Sequence, residues 1–145
     1  VRSVDFYEFE LGFPLVETDK GAAMARILLA EDDDSMRDFL AKALNRAGHE
    51  VDAVADGEEG LDALGEAPGA YELLLTDIVM PGVDGIELAR RAAQIDAGLK
   101  IMFITGFAAV ALNAGSQAPN QAKVLSKPFH LRDLVDEVAK VVAAA

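Results

Sequence analysis

Leu73-Leu74-Leu75-Thr76-Asp77-Ile78-Val79-Met80-Pro81-Gly82 sets the frame for this chain. An apolar triplet ends in a polar pair, and Pro81-Gly82 then breaks the chain. A short apolar run closed by an acid and a turn reads as a buried strand that delivers a carboxylate to the rim of a sheet. The same grammar recurs on either side. Ile27–Ala30 runs into Glu31-Asp32-Asp33, Ile101–Ile104 into Thr105, and Val124–Leu125 into the stretch ending at Lys127-Pro128-Phe129. Glu50–Val54 is a weaker, alternating strand candidate.

Helical patterns separate these runs. Met36, Phe39, Leu40, Ala43, Leu44 and Ala47 fall on one face of a helix, with Asp34 as the expected N-cap and Gly48 where a C-terminal glycine belongs. Asp56-Gly57 opens a short helix through Leu61 and Leu64 that stops near Pro68-Gly69. Another is expected from about Asp84 to Ile95, and Leu131, Leu134, Val135, Val138, Val141 and Val142 share the face of a last one. With a helix after the fourth strand there are five βα units. Right-handed crossovers make them an α/β domain, a (βα)5 doubly wound five-stranded parallel sheet.

The first stretch, residues 1–23, follows no such pattern. Asp5, Glu8, Glu10, Glu17 and Asp19 outnumber Arg2 and Lys20, and Phe6, Phe9, Leu11 and Phe13 keep no period. Met24 reads as the natural start. Residues 1–23 are then expected to be a non-native or flexible extension, with a short docking arm as the other reading, and residues 24–145 to be the domain.

Composition removes several functions. The chain has 145 residues and a net charge of −12, which argues against nucleic acid or anionic lipid as a partner. It has no Cys, hence no disulfide, thiolate metal site or cysteine nucleophile. His49 and His130 are too far apart in sequence to suggest zinc. No apolar run approaches the ~20 residues needed to cross a bilayer. The expectation is a cytoplasmic protein with no membrane insertion.

Ligands of open parallel sheets bind beyond the carboxyl ends of the strands. Glu31, Asp32, Asp77, Thr105 and Lys127 therefore converge on one edge. Acids crowded together repel each other, and a Mg²⁺ ion relieves that repulsion with oxygen ligands. Asp32 and Asp77 are the natural carboxylate ligands, Glu31 reaches in directly or through water, and the Val79 backbone carbonyl is a further candidate. A carboxylate beside Mg²⁺ can attack a phosphorus in line to form an acyl phosphate. Lys127 would neutralise charge on the transferred group and Thr105 would donate a hydrogen bond to it.

Taken singly, each residue has a plainer explanation. Asp33 and Asp34 are best read as helix-capping acids, Asp77 alone could be a turn residue, Thr105 a strand-end hydroxyl and Lys127 a surface lysine. His49 and His130 read as ordinary exposed or capping residues. Joint placement at four strand ends is what favours function.

The acidic pair Glu31-Asp32, the Asp77 stretch through Asp84-Gly85, Ile104-Thr105-Gly106 and Lys127-Pro128-Phe129 together resemble the receiver domain of two-component response regulators. The resemblance spans Met24 to Ala145. It implies a flavodoxin/CheY-like sheet of order 2-1-3-4-5, a cis peptide before Pro128, and Mg²⁺-dependent phosphotransfer to Asp77 from a histidine kinase or histidine phosphotransferase. It also implies slow self-dephosphorylation and a switch in which Thr105 moves toward the phosphoryl group. The domain is thus a phosphoacceptor rather than an enzyme with an external product.

Two features depart from the common receiver pattern. Val124 stands where many receivers carry an aromatic switch residue. The segment Phe107-Ala108-Ala109-Val110-Ala111-Leu112-Asn113 is small and apolar. It lies where receivers meet partners, so Gly106, Phe107, Val110, Leu112 and Val124 are expected to form the switch surface. Phe103–Leu112 and Lys123–Leu134 look like the CpdR type of alphaproteobacteria, single-domain regulators without an output domain. That likeness implies a protein-contact role in priming ClpX, hence ClpXP proteolysis, which phosphorylation turns off. A terminal Ala143-Ala144-Ala145 could be a degradation tag or a frayed helix end.

The rival readings are a plain phosphate sink or phosphorelay intermediate, a phosphatase of the haloacid dehalogenase kind, and a flavodoxin-like FMN binder. The phosphatase wants an acid where Val79 stands. The FMN binder wants a phosphate loop where Glu31 to Asp34 would repel a phosphate.

Overall fold

The computed structural model describes residues 24–106 and 122–144. Five parallel strands form one sheet: β1 (Arg26–Ala30), β2 (Glu50–Val54), β3 (Leu73–Asp77), β4 (Lys100–Thr105) and β5 (Lys123–Ser126), in the order β2-β1-β3-β4-β5. The described helices are α1 (Asp34–Arg46), α2 (Gly57–Glu66), α3 (Gly85–Ile95) and α4 (Leu131–Ala143). The expected sheet, its order and these four helices are therefore present. The helix expected between β4 and β5 lies outside the described residues, as do Phe107, Val110, Leu112 and residues 1–23.

Alternation along the strands builds two cores, one per face. Leu28, Leu74 and Phe103 meet Leu64 of α2 and Leu88, Ala89 and Ala92 of α3. Ile27, Leu29, Leu73, Leu75, Met102 and Ile104 meet Leu40 and Leu44 of α1 and Leu134 and Val138 of α4. Both faces are covered, which is why the central strands read as unbroken apolar runs. Val54 of the edge strand β2 packs on the first core and Val51 on the second, while Asp52 is about half exposed, so this strand is partly covered on both faces and does not show the expected alternation.

Local chemistry sets the ends. Asp56 accepts from the Glu59 N–H at 2.8 Å and Asp84 from the Glu87 N–H at 2.8 Å, so each caps the helix that follows. Gly48, just past α1, has φ of 106°. At the end of α4, the Lys100 ammonium donates to the Val142 carbonyl at 2.8 Å.

Two expectations need correction. The N-cap of α1 is Asp33, whose Oδ1 accepts from the Met36 N–H at 2.8 Å. Asp34 is instead the first helical residue and pairs with Arg37 at 2.6 Å. With three consecutive acids, pattern alone does not choose which one faces the free amides. His49 is not exposed. It is 6% accessible, and its Nδ1 accepts from the Ala25 N–H at 3.1 Å, satisfying a backbone donor just before β1. His130 is the exposed N-cap of α4, as expected.

Candidate phosphoacceptor site

The first and third strands end side by side. Ala30 pairs with Thr76, so Glu31-Asp32 and Asp77 leave the sheet together. One carboxylate oxygen from each of Glu31, Asp32 and Asp77 lies within 4.8 Å of the others. Glu31 and Asp77 are buried, whereas Asp32 is exposed at the mouth.

Asp77 is held on both sides. Its Oδ1 accepts from the Ile78 N–H at 2.7 Å, and its Oδ2 faces the Lys127 ammonium at 3.3 Å. The Thr76 hydroxyl donates to the Asp77 backbone carbonyl at 2.8 Å. Glu31 is held on one side only. Its Oε2 accepts from the Asp33 N–H at 3.0 Å, while Oε1 is buried without a hydrogen bond, 3.6 Å from Lys127. Burial, and then the neighbouring Asp77 charge, push the Glu31 carboxyl up to about 7 against the pull of the Asp33 amide and Lys127. An orphaned buried oxygen among three converging carboxylates fits a hard divalent cation.

The remaining candidates fall as follows. Thr105 is fully buried at the end of β4, and its carbonyl accepts from the Lys127 N–H at 2.6 Å. This bond ties the lysine-bearing turn to the fourth strand. Lys127–Pro128 is cis, as the resemblance implies. Val79 lies two residues beyond Asp77 with an exposed side chain. Gly106 is exposed beyond β4. Val124 stands opposite Phe103 in the β4–β5 register and packs on the first core.

The supporting roles of two residues escaped the sequence reading, although Gly85 lies in the stretch that carries the resemblance. Arg37 donates to the Glu31 backbone carbonyl at 2.9 Å and so fixes the turn that carries the acids. Its only sequence signal was an i,i+3 pairing with Asp34. Gly85 abuts Asp77 from behind: a Cβ there would clash with the Asp77 carbonyl oxygen and lie 2.8 Å from Ile78 Cα. The signal was a glycine directly after a helix-capping aspartate.

The response regulator receiver domain family matches residues 27–139. The response regulator receiver protein CpdR of Brucella abortus (strain 2308) is 65% identical over 122 residues, 84% of this chain and 100% of that protein. Sensor kinase CckA of the same organism is 32% identical over 118 residues, 81% of this chain but 12% of that protein. Among solved structures, response regulator TrrA of Thermotoga maritima in complex with Mg²⁺–BeF is 30% identical with a TM-score of 0.72, covering 81% of this chain and 99% of that one. The acidic cluster and the lysine lie at the carboxyl edge of an open α/β sheet, where such folds bind their ligands. The chain belongs to the response regulator receiver domain family. Among the described residues no helix is long and apolar enough to cross a membrane.

Proposed function

We propose that this receiver takes a phosphoryl group from a phosphohistidine donor onto Asp77 and thereby switches a protein-binding surface. The observation that carries this is the cluster of Glu31, Asp32 and Asp77 with its orphaned Glu31 Oε1 and the Lys127 ammonium facing it. Glu31, Asp32, Asp77 and the Val79 carbonyl would hold Mg²⁺, which when bound offsets the carboxylate charge and the negative charge of the incoming phosphoryl group.

The chain's own residues supply the rest. A carboxylate oxygen of Asp77 attacks phosphorus, so a P–O bond forms as the P–N bond to the donor imidazole breaks. The electron pair stays on the imidazole nitrogen. The Ile78 amide keeps the carboxylate oriented for attack. Lys127 neutralises charge on the transferred oxygens, and Thr105 donates a hydrogen bond to one of them and relays the change. The residues proposed to respond are Gly106 and Val124 and, outside the described residues, Phe107, Val110 and Leu112. Val124 in place of an aromatic side chain means that the relay runs without a rotating ring.

Donors are a histidine kinase or a histidine phosphotransferase. The likeness to CpdR supports a role as a phosphorylation-controlled adaptor for the ClpX component of the ClpXP protease in the cytoplasm. Mg²⁺ and beryllofluoride, titrated into the wild type and Asp77→Asn with amide NMR, test the site. Mg²⁺-dependent shifts around Asp77, Thr105 and Lys127 that vanish in the variant are expected, and no response from the wild type would remove the switch. Reconstituted ClpXP with and without beryllofluoride tests the adaptor role. Degradation that ignores both the protein and its phosphate mimic would leave a phosphate sink.

A further inference from the structure

The turn that follows β2, whose last residue Val54 accepts from the Glu31 N–H at 3.1 Å, also presses on the loop that follows Asp77. Gly57, the buried first residue of α2, is packed so closely that a Cβ there would lie 2.5 Å from the Val83 carbonyl oxygen, 2.8 Å from Val83 Cβ and 2.9 Å from Val83 Cγ1. Val83 is the last residue before Asp84, the N-cap of α3, and Gly85, which abuts the Asp77 carbonyl. The Gly85 N–H donates to the Ile78 carbonyl at 2.8 Å and closes the base of the loop. Residues 78–84 are therefore seated between two helix starts, each made possible by a missing side chain.

The turn at Gly57 makes a stiff wall. Asp56 accepts from the Glu59 N–H at 2.8 Å, and Glu59 Oε1 accepts from the Ala55 N–H at 2.9 Å. One turn further on, a Cβ at Gly60 would lie 3.3 Å from Leu88 Cδ1, so α2 and α3 stay close. An added methyl at Gly57 meets a backbone carbonyl and a Cβ, not a flexible tip. Either α2 or the loop must move.

We propose that Gly57 is a positioning residue for the metal loop. By letting α2 close on Val83, it sets the path of residues 78–84, and with it the placement of Asp77 and the Val79 carbonyl. The proposal rests on the reading of Asp77 as the phosphoacceptor beside a Mg²⁺ site. It assigns a role to a glycine in an element that carries no ligand, and supports placed behind metal ligands typically change affinity by about 10- to 100-fold when altered.

The test is a Mg²⁺ titration, without phosphate or its mimics, followed by the amide shifts of Asp77 and Ile78. It compares wild type, Gly57→Ala and Leu61→Ala. Leu61, on the same helix, packs on the first core, so its loss lowers stability and leaves the close approach of Gly57 to Val83 in place. Gly57→Ala is expected to bind Mg²⁺ about tenfold more weakly than wild type, with Leu61→Ala unchanged. Wild-type affinity in Gly57→Ala, or an equal loss in both variants, overturns the proposal and leaves the Asp77 site standing. A wild type that binds no Mg²⁺ overturns both. Should Gly57→Ala not fold, Val83→Ala trims the side chain that faces Gly57 and is expected to weaken Mg²⁺ about threefold, less than the loss of a direct support. Unchanged affinity there overturns the proposal.

Discussion

Lys127 Nζ lies 3.3 Å from Asp77 Oδ2 and 3.6 Å from Glu31 Oε1, so one ammonium is shared between two buried carboxylates from different strands. With Asp32 at the mouth, three acids face one base. A bound cation would offset the carboxylate charge that Lys127 alone leaves.

Lys127→Ala separates those two roles. The phosphoacceptor and the acidic cluster remain, so the domain should still take up some phosphate from a small-molecule donor such as acetyl phosphate. The link from Asp77 across to the turn after β5 is lost, and beryllofluoride-induced shifts in β5 and around Gly106 should largely disappear. A full set of wild-type shifts in the variant would take Lys127 out of the switch.

Asp77→Asn keeps shape and loses the nucleophile. Phosphate incorporation, read as a mass increment after incubation with acetyl phosphate and Mg²⁺, should fall to zero. Folding should be retained, because an amide oxygen can still accept from the Ile78 N–H and one of the repelling charges is gone. Normal labelling would assign the phosphoryl group to another acid.

Glu31→Gln should move stability and metal affinity in opposite directions. Above about pH 7, where Glu31 is ionised, the amide removes a buried charge whose Oε1 has no hydrogen bond, so metal-free protein should gain roughly 0.5–1 kcal/mol in urea denaturation. The same change deletes a carboxylate ligand, and Mg²⁺ affinity should drop by about tenfold or more. Saturating Mg²⁺ should therefore raise the melting temperature of wild type more than that of the variant. Equal stabilisation of both proteins would place Glu31 outside the metal site.

Most of this architecture was legible because two periods alternate cleanly. The continuous apolar runs at Ile27, Leu73 and Ile101 fall on strands buried on both faces, and the polar residues ending them meet at one edge. The residues that were missed act through backbone rather than side-chain pattern. Gly85 matters for what it lacks, and Arg37 serves the site by donating to a main-chain carbonyl. Neither effect leaves a periodic trace. The shift of the α1 cap from Asp34 to Asp33 has the same origin, since run-on acids offer several equivalent caps and only chain direction selects one. His49 was misread because a lone histidine after a helix-ending glycine looks like a surface residue, whereas here it completes the hydrogen bonding of the first strand's entry.

That buried histidine makes stability depend on pH in a defined sense. Burial holds the His49 imidazole below its ordinary value of 6.5, with Glu72 opposing only in part. Its neutral Nδ1 is the acceptor for the Ala25 N–H. Below about pH 6.5 the unfolded chain binds a proton that the folded chain resists, so this contribution is complete above that value and is lost as pH falls through it. His49→Gln keeps an acceptor and removes the titration. The difference in unfolding free energy between wild type and His49→Gln should be flat above about pH 7.5 and should turn against wild type as pH falls below about 6.5. Taking the difference cancels the acids common to both proteins. A difference that stays flat across the whole range would show that the Ala25 amide is not held by a neutral imidazole.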